Sequence, residues 1–180
     1  NYSSNVEYAS ATGIVQMGPY PFLTDIVITI SNEQDVNCII NSNPIQLFAC
    51  PPENDNCNGA IEAVVNSDQS CSLTTQGTLS GASYSGNESD CLADMDDDVW
   101  FSFSASSQVQ TISIQNISGS TSNLGHALYV GTGDVLCSTL EELYCVNETT
   151  SVSPDLTIGV TYHIRIFSIG VEAQNVDFDL

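Results

Sequence analysis

The sequence predicts an all-β fold: a two-sheet antiparallel β-sandwich of jelly-roll type, preceded by the end of another β domain. Three observations carry this. Short runs in which apolar and polar residues alternate recur at spacings of about 10–15 residues, the signature of half-buried strands in a sandwich. Val, Ile, Thr and Ser are abundant while lysine is absent and arginine occurs once, a composition that disfavours helix. Gly, Asn, Asp, Pro and Ser cluster between the alternating runs, where turns need them. With 42% hydrophobic residues the chain has enough apolar mass to fill a core.

In chain order, residues 1–50 read as the C-terminal part of a preceding Ig-like β domain. Ile26, Ile28 and Ile30 alternate with Val27 and Thr29 as a strand, and a second strand is expected from Pro44 to Cys50. Too little chain surrounds them for a complete sheet pair. The segment P-P-E-N-D-N-C-N-G at 51–59 is a stiff, turn-rich linker, so a domain boundary is expected there, with one module over 51–180. Ala60–Val65 and Ser72–Ala82 are short candidate strands. Val99–Phe103, Val109–Ile117, Ala127–Val130, Leu140–Val146, Tyr162–Ile166 and Val176–Leu180 are clearer ones.

The stretch D-M-D-D-D-V-W-F-S-F-S-A at 94–105 joins two unlike signals. Val99, Phe101 and Phe103 alternate with Trp100, Ser102 and Ser104, so one face enters the core. Trp100, the only tryptophan, lies on the opposite face, where a covering loop is the expected partner. At the strand's start, Asp94, Asp96, Asp97 and Asp98 crowd within five residues. Carboxylates about 4–6 Å apart repel unless a cation sits among them. Asp94-x-Asp96-x-Asp98 also opens like an EF-hand loop, but Val99 stands where that loop needs Gly and Ala105 where it needs Glu.

Arg165 is the sole basic side chain against 22 acidic ones, a formal charge of −21. That disfavours nucleic acid, phosphorylated ligands and anionic membranes as partners and makes cations the natural small ones. No apolar run is long enough to span a bilayer, so membrane insertion is not expected. Seven cysteines without a CxxC zinc pattern point to disulfides and an oxidising, extracellular compartment. Cys38–Cys50 is expected across neighbouring strands. Cys137–Cys145 is expected to close a short hairpin loop, worth roughly 2–3 kcal/mol by loop entropy. Cys71–Cys91 is the next choice.

Four stretches in order, P-P-E-N-D-N-C-N-G-A-I at 51–61, T-T-Q-G-T-L-S-G-A at 74–82, D-D-D-V-W-F-S-F-S-A at 96–105 and L-T-I-G-V-T-Y-H-I-R-I at 156–166, give residues 51–180 a likeness to known modules. The chain resembles the β-sandwich modules repeated in large secreted and surface adhesins of Bacteroidota-type bacteria. It is more distantly similar to bacterial pre-peptidase C-terminal domains and to the collagen-binding domains of clostridial collagenases. The collagenase resemblance implies a Ca2+ site built from Glu53, Asn54 and Asp55 with Asp94, Asp96 and Asp98. Calcium takes six to eight oxygen ligands at about 2.3–2.6 Å from flexible loops, which suits those residue types. In similar modules a cysteine follows the last strand, which implies a partner for Cys57 beyond Leu180; Cys57–Cys71 and Cys57–Cys91 are the alternatives.

Nothing in the sequence names a catalytic reaction. The two histidines, His126 and His163, have no neighbouring nucleophile in sequence, and His163 is expected on the solvent side of its strand. No phosphate-binding glycine loop occurs. The resemblance implies a non-catalytic adhesive or structural module of a long repeat-built protein at the bacterial cell surface, stiffened by calcium and disulfides. Such proteins are exported by type IX secretion and include adhesins used in gliding. The implied partners are neighbouring modules of the same chain and extracellular polysaccharide or protein surfaces. The alternative is an accessory domain that targets a secreted hydrolase or protease to polymer.

Overall fold

A computed structural model describes residues 20, 24–32, 34–46, 50–68, 72–86, 96–131, 137, 139–170, 172 and 174–180. The chain divides into two compact units, Asn1–Ala49 and Cys50–Leu180. In the first unit β1 (Asp25–Ile26), β2 (Thr29–Asn32), β3 (Asp35–Asn41) and β4 (Ile45–Gln46) form two small antiparallel pairs, β1 with β4 and β2 with β3. The expected strand from Ile26 is thus broken in two, and β3 lies in what had read as a connection. Ile30, Ile39 and Ile40 stay exposed on the β2–β3 hairpin.

Among its described residues the second unit has a 3-10 turn at Cys57–Gly59 followed by ten strands. These are β5 (Ile61–Glu62), β6 (Gln76–Thr78), β7 (Asp98–Ser104), β8 (Thr111–Ser113), β9 (Gln115–Gly119), β10 (Leu124–Gly131), β11 (Leu140–Val146), β12 (Thr150–Val152), β13 (Thr161–Ser168) and β14 (Val176–Asp179). One sheet has the order β11-β10-β13-β7-β5, antiparallel except for the β5–β7 edge. The facing layer holds the three-stranded sheet β6-β14-β9 and the separate β12–β8 pair, whose Ile112 packs into the same core. The strand expected over Val109–Ile117 is split because its partner changes: β8 pairs with β12 and β9 with β14.

The core follows the period-2 pattern. Val99, Phe101 and Phe103 of β7, Ile164 and Ile166 of β13, Leu124 and Leu128 of β10, and Val176 and Phe178 of β14 meet between the layers, all buried. Burying one such side chain contributes about 1.5–3 kcal/mol. Gly77 in β6 is required here, since a Cβ would come within 2.5 Å of the Phe178 ring and 2.8 Å of the Phe101 ring.

The outer face of the five-stranded sheet is also buried. Trp100, Ala127, Tyr129 and Phe167 form a second apolar cluster with Cys57, under the lead-in segment before β5. As expected, Trp100 is covered, at 0% exposure. His163 is a correction: it sits on that same face and is 3% exposed, not a surface residue. Alternation marks the two faces of a strand, and a sandwich sheet with a covering segment buries both.

Candidate functional site

The acids at the start of β7 meet a cation from inside the chain. Asp98 and Arg165, in register-adjacent positions of β7 and β13, form an ion pair of 2.7 Å with both side chains at 0% exposure. Asp98 also accepts from Trp100 Nε1 at 3.0 Å and from the Ser85 amide at 3.0 Å. The guanidinium lies 5.3 Å from the Tyr84 ring centroid and 5.7 Å from that of Trp100, within cation–π range. Burial works against the charge on Arg165, but the hydrogen bond and attraction of Asp98, joined by Tyr129, hold its pKa above the ordinary value.

The residues implied as calcium ligands are spent in related ways. The Asn54 side chain donates to the Trp100 carbonyl at 3.0 Å while the Trp100 amide donates to the Asn54 carbonyl at 2.8 Å. Together these bonds seat the lead-in segment on β7. The Asp55 carboxylate accepts from the Ser83 amide and hydroxyl at 2.6 and 2.8 Å. Asp97, buried, accepts from the Ser168 hydroxyl and amide and from the Gln174 amide, tying β7 to the end of β13. Glu53 is exposed. Asp96 keeps one buried oxygen without a hydrogen-bond partner, and burial, then the Asp97 charge, raises its pKa. Asp94 lies outside the described residues.

A calcium ion at Asp98 would have to displace the guanidinium, and Asp55 offers carboxylate oxygens already held by Ser83. The donor set therefore does not fit a calcium cage centred on those two residues. Arg165 was the missed element. Its signal was present in the sequence as the lone basic residue on a strand face opposite the core.

The disulfides also differ from expectation. Cys57 and Cys137 are bonded to each other across 80 residues, with Cα atoms 5.7 Å apart. The lead-in segment folds back over the sheet and brings Cys57 to Cys137, three residues before β11, so Cys137–Cys145 does not form. Cys145 is disulfide-bonded as well. Cys38 and Cys50 are free and exposed rather than bridged; they belong to different units, on either side of the boundary. Cys71 and Cys91 lie outside the described residues.

A groove of about 600 Å3 lies in the second unit. Its lining includes Glu53, Gln76, Thr78, Asn116, Asp177 and Asp179, with Ile61 and Phe178 as apolar members. Val176 and Phe178 turn into the core, so the alternate residues Asp177 and Asp179 are left outside. Register sets Asp177 between Thr78 and Ser118, and Asp179 opposite Gln76. Asn116, at φ 49°, donates to Asp179 at 2.8 Å. The result is a row of carboxylate, amide and hydroxyl groups, able to accept and donate several hydrogen bonds at once.

One arrangement has the outline of a nucleophile and base. His126 Nε2 lies 2.6 Å from Ser151 Oγ, and His126 Nδ1 2.9 Å from the Glu148 carbonyl. The carbonyl must receive the Nδ1 proton, which leaves Nε2 to accept from the serine. Tyr144, however, shares the same serine oxygen at 2.7 Å, and burial lowers the His126 pKa to about 4. A base that weak extracts little proton near neutrality. The trio instead ties β12, in one layer, to β10 and β11 in the other.

A search of the curated proteins finds no match for the chain. Comparison with protein families does find one: residues 53–180 match the family described as galactose binding domain-like, in its type IX secretion-associated form. The match begins where the lead-in segment starts to cover the sheet and runs through β14, and the chain therefore belongs to the galactose-binding-domain-like family associated with type IX secretion.

Proposed function

We propose that the second unit is a non-catalytic adhesion module that holds an exported protein to neutral polysaccharide through the groove between Glu53 and Asp179. The family is one of secreted or cell-surface binding domains, and no helix among the described residues is long and apolar enough to cross a membrane. The observation that carries the reading is the groove's lining. Carboxylate and amide pairs spaced along a strand suit the vicinal hydroxyls of a sugar chain. A formal charge of −21 repels uronic-acid polymers and phosphorylated ones, which leaves neutral glycans. Stiffness comes from within, through the buried Asp98–Arg165 pair and the Cys57–Cys137 bridge. Repetition of such modules along a longer adhesin is part of the same proposal.

Affinity electrophoresis of the whole chain in gels containing neutral polysaccharides tests it. Retardation in at least one neutral glycan, absent for Asp177→Asn/Asp179→Asn, is expected. Equal retardation of the two proteins in every gel, each measured against its own mobility without polysaccharide, would remove the groove from the account.

A further inference from the structure

Beneath the Cys57–Cys137 bridge lies a donor set that adhesion does not use. The two sulfur atoms and a ring nitrogen of His163 all fall within 4.8 Å of one another. His163 projects from the outer face of β13, the central strand of its sheet, while Cys57 comes from the 3-10 turn above it and Cys137 from the chain just before β11. The imidazole is 3% exposed, and its Nδ1 is buried with no hydrogen-bond partner. Native structures rarely leave such a nitrogen unspent, and each instance calls for a reason. Across the sheet the two neighbours of His163 in register are Ser102 and Tyr129, neither of which satisfies Nδ1.

Two thiolates and a neutral imidazole are a donor set for zinc. Tetrahedral Zn–S bonds of about 2.3 Å place two sulfur ligands roughly 3.8 Å apart, so the bonded sulfur atoms must separate to that spacing once the bridge opens. We infer that opening the Cys57–Cys137 bridge converts this spot into a zinc site, with Cys57, Cys137 and His163 as three protein ligands. The fourth position is left for water. The chemistry balances with an external thiol reductant. Two reductant thiols become one disulfide, and their two electrons and two protons convert the bridge to two cysteine thiols. Zinc then displaces those two protons to solvent and takes the sulfurs as thiolates. Oxidation and zinc thus compete for the same pair of sulfur atoms, and the bridge closes the site in the exported protein.

Cobalt(II), a spectroscopic substitute for zinc, tests this on the whole chain kept reduced under argon. One equivalent bound in tetrahedral form with thiolate charge-transfer bands is expected for the reduced protein, and none for the oxidised one. Cys57→Ser/Cys137→Ser should lose the spectrum although the remaining cysteines persist, and His163→Ala should weaken binding at least about tenfold. Melting curves cover the case in which reduction loosens the fold: added zinc should raise the melting temperature of the reduced chain, and not that of the reduced His163→Ala variant. Unchanged cobalt spectra in the variants would overturn the inference. So would a reduced chain that neither binds cobalt nor is stabilised by zinc.

Discussion

Arg165 is the only lysine or arginine in the chain, and it is spent in the interior. Removing one partner of a buried pair leaves the other charge stranded, which costs about 3–5 kcal/mol, whereas replacing both with apolar side chains costs less than the two single losses. Arg165→Met is therefore expected to destabilise the fold by about 3–5 kcal/mol in urea unfolding, with Asp98→Leu/Arg165→Met milder than the sum of its parts. Additive losses would mean that the two side chains do not interact. The crowd of acids was legible in the sequence as something needing a cation. Which cation was not, because Arg165 lies 67 residues away and only the β7–β13 register brings it to Asp98. The likeness to collagenase modules offered a local answer, calcium, to a question the chain answers through long-range pairing.

At the scale of elements, the His126–Ser151–Tyr144 clamp gives the sandwich a pH dependence. In the folded chain the His126 pKa is about 4, against an ordinary value of 6.5. Between those values the unfolded chain takes up a proton that the folded chain refuses, so this contribution falls as pH drops from about 6.5 to about 4 and is complete above that window. Its ceiling is about 3 kcal/mol. Unfolding free energies measured from pH 4 to 7 should show the loss, and His126→Gln should flatten that part of the profile; an unaltered profile in the variant would assign the slope to other groups. The strands that carry this clamp differ in how readable they were. β7, β13 and β14 alternate cleanly and were found near their true bounds, while β10, expected over Ala127–Val130, runs over Leu124–Gly131 and is buried on both faces. β12, three residues of Thr-Ser-Val, and β3, Asp-Val-Asn-Cys-Ile-Ile-Asn, have no such alternation, and pairing partners alone make them strands. The groove was harder still: Asp177 and Asp179 were legible as outward residues of β14, but nothing local shows that Gln76, Thr78 and Asn116 come to lie beside them.

Over the whole second unit, the Cys57–Cys137 bridge fastens the lead-in segment across a sheet that alternation alone would have left half exposed. Closing a span of 80 residues contributes about 4–5 kcal/mol in the chain-entropy picture. Cys57→Ser/Cys137→Ser is expected to lose stability of that order in denaturant unfolding, and a loss under about 1 kcal/mol would show the lead-in segment to be held by Asn54 and Trp100 without it. In the adhesion proposal the bridge preorganises the groove, and preorganised sites lose less entropy on binding. Each hydrogen bond to a charged group contributes about 1.5–3 kcal/mol, roughly one to two powers of ten in affinity. The most direct measurement is therefore calorimetric titration of the whole chain with a neutral oligosaccharide cut from the polysaccharide that retards it, beside Asp177→Asn/Asp179→Asn. The groove reading predicts saturable binding to the natural sequence, weakened at least about tenfold in the variant with its melting temperature unchanged. Equal affinity in both proteins, or no binding heat with any neutral glycan, would contradict it.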